Sequence, residues 1–190
     1  RTLETLGEEY YRISDIDEAH RVWEQAWNIR RDRWGIGTPE YGVALAYMAR
    51  YHNYMSAPQL DHQGEAIRSA DEAVRLIKGE GGQVSTHERL LALREQAYAH
   101  KVLKGPTGTN EDPVLHAARG LFNAALREAV AADDTIWIAQ LQHDIGNSYT
   151  DRVILLRGDP AAQSEAIKAA RHHYRASLAL LKQAGLGPSE

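Results

Sequence analysis

The sequence contains nine histidines, the side chains best suited to metal binding and to proton transfer near neutral pH. His172 and His173 are adjacent, and adjacent side chains on a helix point about 100° apart, so these two cannot chelate one ion together. His143 and Asp144 have the same adjacency, and the His-Glu-x-x-His motif of zinc enzymes is missing from the sequence. We therefore interpret the histidines as solvated or hydrogen-bonded side chains and predict no metal site.

An acidic cluster near the N terminus is the second group of side chains that could carry out chemistry. It consists of Glu8, Glu9, Asp15, Asp17 and Glu18. General acid–base catalysis needs two carboxyl groups directed at one cleft, and nothing in this spacing directs them so. We expect Asp15 and Asp17 to cap the second helix instead.

Nucleophiles and phosphate-binding loops give no enzymatic signature. Ser148 and Ser177 have no visible base or oxyanion partner in the sequence. The segment 105–113 contains glycines, but it follows no strand and lacks the Gly-Lys-Ser/Thr of a phosphate loop. We predict that the protein is not an enzyme and needs no cofactor.

Composition and charge exclude several classes of partner. The net charge of -4 gives no general attraction to nucleic acid or to an anionic membrane, and no apolar run approaches the roughly 20 residues that span a bilayer. Arg30, Arg31 and Arg33 could touch phosphates, but arginines in a last helical turn are explained as a solvated face that complements the helix dipole. We expect no membrane contact and no direct nucleic-acid binding by this domain. The lack of cysteine fits a cytoplasmic location.

Helical periodicity dominates the chain, and glycine- or proline-rich breakers separate eight amphipathic segments. Several segments begin with capping signals, such as Thr38-Pro39 and Asp159-Pro160. The predicted helices cover 2–14, 15–33, 39–55, 62–78, 86–104, 113–131, 135–157 and 160–184. The fold class is therefore all-α, with four consecutive helix pairs over 2–33, 39–78, 86–131 and 135–184. We expect one domain over 1–190, in the form of an α-solenoid.

The helix pairs share a spacing of small and bulky residues. In the first pair, Gly7 and Tyr10 are followed by Ala19, Trp23 and Ala26. The fourth pair repeats this arrangement with Gly146, Tyr149, Ala170, Tyr174 and Ser177. Gaps of four and three put the last three residues of each set on one face of the second helix. The small residues there let two helices approach, and the ring fills the space beside them. One pair cannot bury its apolar stripe alone, so the pairs are predicted to stack.

These residues resemble the tetratricopeptide repeat, whose pattern is an aromatic or apolar residue, then Leu-Gly, Tyr, Ala, Phe, Ala and a closing Pro. The first repeat matches in register through Leu3, Leu6, Gly7, Tyr10, Ala19, Trp23 and Ala26. The segment 29–52 resembles the junction of kinesin-light-chain-type repeats. The chain departs from the family where Arg30 and Arg31 replace the closing proline, and its repeats are lengthened. Ala19, Ala66, Ala118 and Ala170 lie 47, 52 and 52 residues apart.

The resemblance implies that the first helix of each pair lines a concave groove that holds a peptide. The candidate lining lies one turn off the packing face of these helices. It comprises Glu8, Tyr11, Arg12, Tyr47, Arg50, Tyr51, Tyr54, Glu95, Tyr98, His143, Asn147 and Asp151. Tyrosine and arginine carry much of the binding energy at interfaces, and an Asn147 amide could pair with a peptide backbone. A second interpretation remains open, in which Tyr47, Tyr51 and Tyr54 are core between helices.

The family's Lys, Arg and Asn clamp for the terminal carboxylate of chaperones is not reproduced here. Only Arg50 and Asn147 are of suitable types, and Glu8, Glu95 and Asp151 would repel an anion. The mixed charges of the lining favour a partner that carries some positive charge.

Three functions follow from this interpretation. The first is a non-catalytic scaffold that binds a peptide segment of another protein in the groove. The second is the ligand- or peptide-sensing domain of a bacterial-type transcriptional regulator, and we expect the chain to be part of a longer protein because it begins without methionine in a helical pattern. The third is a self-assembling scaffold that forms homo-oligomers through its terminal helices, with Leu178, Leu181 and Leu186 as an adhesive stripe.

Overall fold

The computed structural model describes residues 2–55, 60–79, 83–101 and 113–186. Over these ranges the chain forms eight α-helices and no strand. The helices are α1 (Leu3–Arg12), α2 (Ile16–Trp34), α3 (Pro39–Met55), α4 (Leu60–Ile77), α5 (Thr86–Lys101), α6 (Pro113–Ala131), α7 (Thr135–Leu155) and α8 (Pro160–Gln183). The all-α prediction is confirmed, and the helix ends lie within two residues of those predicted. The exception is the predicted end of the fifth helix at 104, which lies outside the described residues.

The chain divides into two compact units, Arg1–Ala99 and His100–Glu190. The first unit contains α1 to α4 and nearly all of α5, and the second contains α6 to α8. In the first unit α1 packs on α2, α2 on α3, and α3 on α4. In the second unit α6 packs on α7, and α7 on α8. Each unit is thus built from neighbouring helices that pack in sequence order, as in a helical repeat.

Side-chain caps determine where several helices begin. The Asp15 carboxylate accepts the Glu18 N–H at 3.3 Å, and the Asp159 carboxylate accepts the Ala162 N–H at 2.9 Å. At the start of α5, the Ser85 hydroxyl accepts from the Glu88 N–H at 3.2 Å, and the Glu88 carboxylate accepts from the Ser85 N–H at 2.9 Å. This reciprocal pair is a capping box. The prediction that Asp15 caps the second helix is confirmed.

In the first unit, α1 and α2 approach closely because Gly7 has no side chain. Trp23 of α2 is fully buried, and a Cβ placed on Gly7 would lie 2.2 Å from the Trp23 Nε1 atom. The indole N–H donates to the Glu4 carbonyl at 3.4 Å. A small residue therefore admits the ring, and the ring fills the space between the two helices, as the spacing predicted.

Further along the first unit, small residues pack α3, α4 and α5 together. Ala49, Ala66, Ala70 and Ala99 form one fully buried cluster, and Ile67 packs against it. Ala66 is the repeat equivalent of Ala19 in the first pair. The small side chains of the cluster let α3, α4 and α5 approach closely, which positions α3 relative to α5.

The second unit uses the same device at the interface between α7 and α8. A Cβ on Gly146 would lie 2.6 Å from the Tyr174 ring, and Ile145 and Ala170 beside it are buried. Gly146 and Tyr174 in the fourth pair thus correspond to Gly7 and Trp23 in the first.

Alanine substitutions at two glycines of the second unit are expected to change stability in opposite directions. Gly146→Ala is expected to lower the free energy of unfolding by about 1–3 kcal/mol, because the new methyl group overpacks the Tyr174 ring. Gly120→Ala on α6 is expected to raise it by about 0.5–1 kcal/mol, since its Cβ meets no atom within 4 Å and alanine favours the helix. Urea denaturation followed by circular dichroism measures both changes. A shift of the same sign for the two variants would contradict the packing described.

Two features of the chain surface bear on the predicted partners. None of the helices formed by the described residues is both long enough and apolar enough to cross a bilayer. On α8, Ile167 and Leu178 lie on one face and are 39% and 42% exposed. Leu186 beyond the helix end is also exposed. These side chains are available for contacts, and self-assembly through the last helix stays a prediction.

Candidate functional site

Two pockets lie beside the first helices of the first unit. The larger one, here named the acidic pocket, has a volume of about 560 Å³. It is lined by Thr5, Glu8, Glu9, Arg12, Tyr47, Ser85, His87 and Glu88. The smaller one, the tyrosine pocket, has a volume of about 190 Å³. It is lined by Tyr11, Arg50, Asn53, Tyr54, Arg94, Glu95 and Tyr98.

The tyrosine pocket draws its residues from α1, α3 and α5, which are the helices expected to line a groove. Five of the predicted residues lie in it, namely Tyr11, Arg50, Tyr54, Glu95 and Tyr98. Glu8 and Arg12 line the acidic pocket on the same helix, α1. Tyr47 of α3 also lines the acidic pocket, so the structure gathers eight of the twelve predicted side chains around the two pockets.

A buried carboxylate organises the tyrosine pocket. Glu95 is only 2% exposed, and its Oε1 atom lies 3.1 Å from Arg94 Nη1 and 3.7 Å from Arg50 Nε. The Asn53 amide donates to the Glu95 carboxylate and to its backbone carbonyl, both at 3.0 Å. A buried charge is tolerated only when it is paired and hydrogen-bonded, and these contacts meet that requirement.

Each arginine of the tyrosine pocket lies over an aromatic ring. The Arg50 guanidinium is 4.6 Å from the centre of the Tyr11 ring, and the Arg94 guanidinium is 4.9 Å from that of Tyr98. Arg50 also forms an ion pair with Glu8 on α1. These contacts hold both guanidinium groups in fixed positions.

Alternating charges connect the two pockets. We name this series the charge chain, and it runs through Glu8, Arg50, Glu95 and Arg94. Glu8 lines the acidic pocket, and the other three residues line the tyrosine pocket. The two pockets are therefore connected by one series of ion pairs.

The phenols of Tyr11 and Tyr47 stay neutral near physiological pH. Burial raises the pKa of Tyr11, and the nearby Arg50 charge offsets only part of this effect. Burial also raises the pKa of Tyr47, and the Glu8 and Glu4 charges raise it further. Both hydroxyl groups are therefore neutral hydrogen-bonding groups rather than phenolates.

The sequence allows three tyrosines to belong either to the groove or to the core, and the structure places them in different environments. Tyr47 is 5% exposed, with its ring centre 5.5 Å from that of Trp23, so the core interpretation describes most of its surface. Tyr54 is 48% exposed and meets the Tyr11 ring edge-on. Tyr51 lines neither of the two pockets and stacks on His20 with ring centres 3.9 Å apart.

Tyr51 belongs to a cluster of rings that packs α2, α3 and α4 together. The Nδ1 atoms of His52 and His62 are 3.0 Å apart, so one ring donates a hydrogen bond to the other. Burial, together with the neighbouring His62, lowers the pKa of His52 to about 4, which keeps its ring neutral at pH 7. The interpretation of the histidines as hydrogen-bonded side chains holds for this pair.

The three predicted residues of the second unit lie on α7 and already have partners within that unit. The Asn147 side-chain carbonyl accepts a hydrogen bond from the Tyr174 hydroxyl at 2.8 Å. Its amide nitrogen lies 3.3 Å from His143 Nδ1. Asp151 pairs with Lys101 at 2.8 Å. The sequence allows the Asn147 amide to pair with a peptide backbone. In the structure its oxygen and its nitrogen both contact side chains of the same unit.

Sequence reasoning missed two residues of the tyrosine pocket. Asn53 follows Arg50 by three positions and so shares its helix face, a spacing that could have identified it. Arg94 precedes Tyr98 by four positions, which places the guanidinium against the ring. Both side chains act through Glu95, whose burial is not apparent from the sequence.

The interpretation of Arg30 as part of a solvated face is wrong. Its side chain is only 16% exposed, and it contacts Glu4 at 2.7 Å and Glu88 at 3.4 Å. It also donates to the Glu40 carbonyl at 3.1 Å. Arg30 thus joins α2 to α1, α3 and α5. It is mostly buried because these three helices converge on the end of α2, at the position where the tetratricopeptide pattern has its closing proline.

Comparison with known proteins adds no further assignment. No protein-family model matches the chain, and no curated protein matches it. The resemblance to tetratricopeptide repeats thus stays a prediction from the residues of the first and fourth helix pairs. The all-helical architecture of packed neighbouring helices rests on the structure itself.

Proposed function

We propose that the protein is a non-catalytic interaction scaffold that binds a peptide segment of another protein across the acidic and tyrosine pockets. One observation supports this proposal above all others. Side chains from three successive first helices, including five predicted from the sequence, line a single pocket.

The composition of the tyrosine pocket is that of an interface hot spot. Tyrosine and arginine are enriched among the residues whose truncation costs most binding energy. A volume of about 190 Å³ is close to that of one large side chain, so the pocket suits an anchor residue of a peptide. The acidic pocket beside it is larger and more open, and it suits the residues that flank such an anchor.

The charged groups are arranged for recognition rather than for catalysis. Arg50, Arg94 and Asn53 all contact the Glu95 carboxylate, which is buried, so it has little access to a substrate proton. Fixed guanidinium and amide groups can instead exchange hydrogen bonds with a partner's carbonyl or carboxylate groups.

Selection of displayed random 12-residue peptides on the purified chain tests the proposal. We expect the Kd of selected peptides to rise at least tenfold in Arg94→Ala and in Tyr54→Ala, since each removes a contact group from the tyrosine pocket. Tyr54 is 48% exposed, so its truncation leaves the core intact.

Arg75→Ala is the matched control for this experiment. Arg75 lies on α4 and pairs with Glu72 at 2.6 Å, so this variant also removes one arginine from an ion pair, but it lies outside both pockets. We expect its Kd to be unchanged. Failure to select any peptide, or equal binding by all three variants, would refute the proposed function.

A further inference from the structure

Two histidines join α3 to α4 near the ends of these helices. His52 lies in the last turn of α3, and His62 lies in the first turn of α4. Their Nδ1 atoms are 3.0 Å apart, and their ring centres are 5.3 Å apart. Because a ring nitrogen lies one ring radius from its ring centre, these two distances put both Nδ1 atoms close to the line between the centres. Each nitrogen therefore points at the other, in a well-aligned N–H···N hydrogen bond. We name these two side chains the histidine pair.

The hydrogen bond of the histidine pair exists only when one Nδ1 atom carries a proton and the other does not. The accepting ring, when neutral, already carries a proton on Nε2. An added proton on that ring can therefore go only to Nδ1, the atom that accepts the bond. The donating ring, in contrast, can take a proton on Nε2 and keep its Nδ1–H directed at the other ring. The pair can thus hold one added proton, but it loses its hydrogen bond when both rings are charged.

Charged groups of both neighbouring helices act on His52. They are His62, Glu65 and Arg68 of α4 and His20 of α2. Glu65 and Arg68 form an ion pair with each other on the surface of α4, so the carboxylate is already engaged. Two imidazolium rings in direct contact would also repel each other. The surroundings therefore compensate poorly for a second proton on the histidine pair.

Tyr51 extends this ring cluster to α2. The His20 ring stacks on Tyr51 with ring centres 3.9 Å apart, and the Tyr51 ring meets the His62 ring edge-on. Burial lowers the pKa of His20, and the nearby Glu24 and Asp17 charges offset only part of this effect. Rings from three helices thus form one cluster that favours neutral side chains.

The direction of the pH effect follows from the environment of His52. Burial, and then the neighbouring His62, lower the pKa of His52 to about 4 from an ordinary value of 6.5. Between these two pH values the unfolded chain binds a proton at His52 more readily than the folded chain does. The stability that neutral His52 contributes is therefore complete above pH 6.5 and is lost as the pH falls from 6.5 towards 4.

We propose that the histidine pair is an acid-sensitive contact, which holds α3 against α4 at neutral pH and loosens these helices when both rings are protonated. Beyond the pair, α3 and α4 meet through Ala49, Ala66 and Ala70. Each of these small side chains buries little apolar area, so they do not replace the contact that is lost at the helix ends. This inference is independent of the proposed function.

Urea denaturation at pH 7 and at about pH 5, inside the window in which His52 titrates, tests the inference on the unaltered protein and on His52→Gln. A glutamine amide can donate or accept, so it can keep a hydrogen bond to His62 in either protonation state and takes no proton itself. We expect the equilibrium constant of unfolding to rise about tenfold more in the unaltered protein than in His52→Gln when the pH is lowered. Each protein is compared with itself, so a pH-independent loss of packing in the variant cancels.

His116→Gln is the matched control, because it makes the same chemical change at an exposed histidine of α6. We expect its response to acid to equal that of the unaltered protein. Equal responses of the unaltered protein and His52→Gln would overturn the inference, and so would a loss of acid sensitivity in His116→Gln as large as that in His52→Gln.

Nitrogen-15 NMR of the unaltered protein provides a second measurement, because it reports which ring nitrogens carry protons at each pH. We expect one Nδ1 atom of the histidine pair to lack a proton at pH 7 and to gain one only as the pH approaches about 4, with loss of the hydrogen bond. Protons on both Nδ1 atoms at pH 7, or a hydrogen bond that persists when both rings are charged, would overturn the inference. This measurement keeps the inference testable even if His52→Gln fails to fold.

Discussion

Replacing Trp23 by alanine is expected to lower the free energy of unfolding by about 3–5 kcal/mol, the usual cost of removing a fully buried large aromatic side chain. The indole fills the space that Gly7 leaves open between α1 and α2. Its ring centre also lies 5.7 Å from that of Tyr11 and 5.5 Å from that of Tyr47. The substitution therefore leaves a cavity between three helices and removes the support of Tyr11 in the tyrosine pocket.

Trp34→Ala is the matched control for this prediction, because it makes the same chemical change at a side chain that is 40% exposed. Trp34 contributes ring contacts with Arg30 and Arg33, and exposed cation–π contacts are each worth about 0.5–1 kcal/mol. We expect a loss of about 1 kcal/mol. Circular dichroism at increasing urea measures both variants without relying on tryptophan fluorescence. Equal losses would contradict the role assigned to Trp23.

The second large effect is expected for Glu95→Ala. Removing one partner of a buried ion pair typically costs about 3–5 kcal/mol, because the remaining charge is left in a poorly solvated site. Arg50 and Arg94 are 15% and 12% exposed, and Arg50 keeps its ion pair with Glu8. We therefore expect a loss of about 3 kcal/mol, at the lower end of that range, together with weaker peptide binding.

Glu72→Ala separates this effect from the general loss of a carboxylate. Glu72 pairs with Arg75 on the surface of α4, where its side chain is 41% exposed. Exposed pairs of this kind contribute about 0.3–0.5 kcal/mol. Chemical denaturation of the two variants compares them directly. If Glu95→Ala destabilises the protein no more than Glu72→Ala does, then Glu95 does not organise the pocket.

Local signals along the chain were sufficient to predict the helices. Capping residues such as Asp15 and Ser85 act within one helical turn, so their effect can be predicted from residues three positions apart. The pairing of Gly7 with Trp23 was also predictable, because a glycine and a bulky ring at repeat positions are sterically complementary where two helices pack closely. These predictions depend on chemistry that is nearly independent of the rest of the fold.

The lining of the pockets was predicted only in part. Tyr47 and Tyr54 are two turns apart on the same face of α3, yet one is 5% exposed and the other 48%. Trp23 covers the first, whereas the second lies in the last turn of the helix. Periodicity assigns a face to a residue, but the neighbouring helices decide how much of that face remains open.

The amino-acid sequence by itself determined the all-α class, the eight helices and the close pairing of helices at small residues, because each of these depends on contacts within a turn or on steric size alone. The tertiary structure alone decided that Glu95 is buried between two arginines and that Arg30 joins four helices. It also decided that the charges of two pockets form one connected series. Electrostatic environment depends on which helices converge around a group, and that convergence involves residues far apart in the chain.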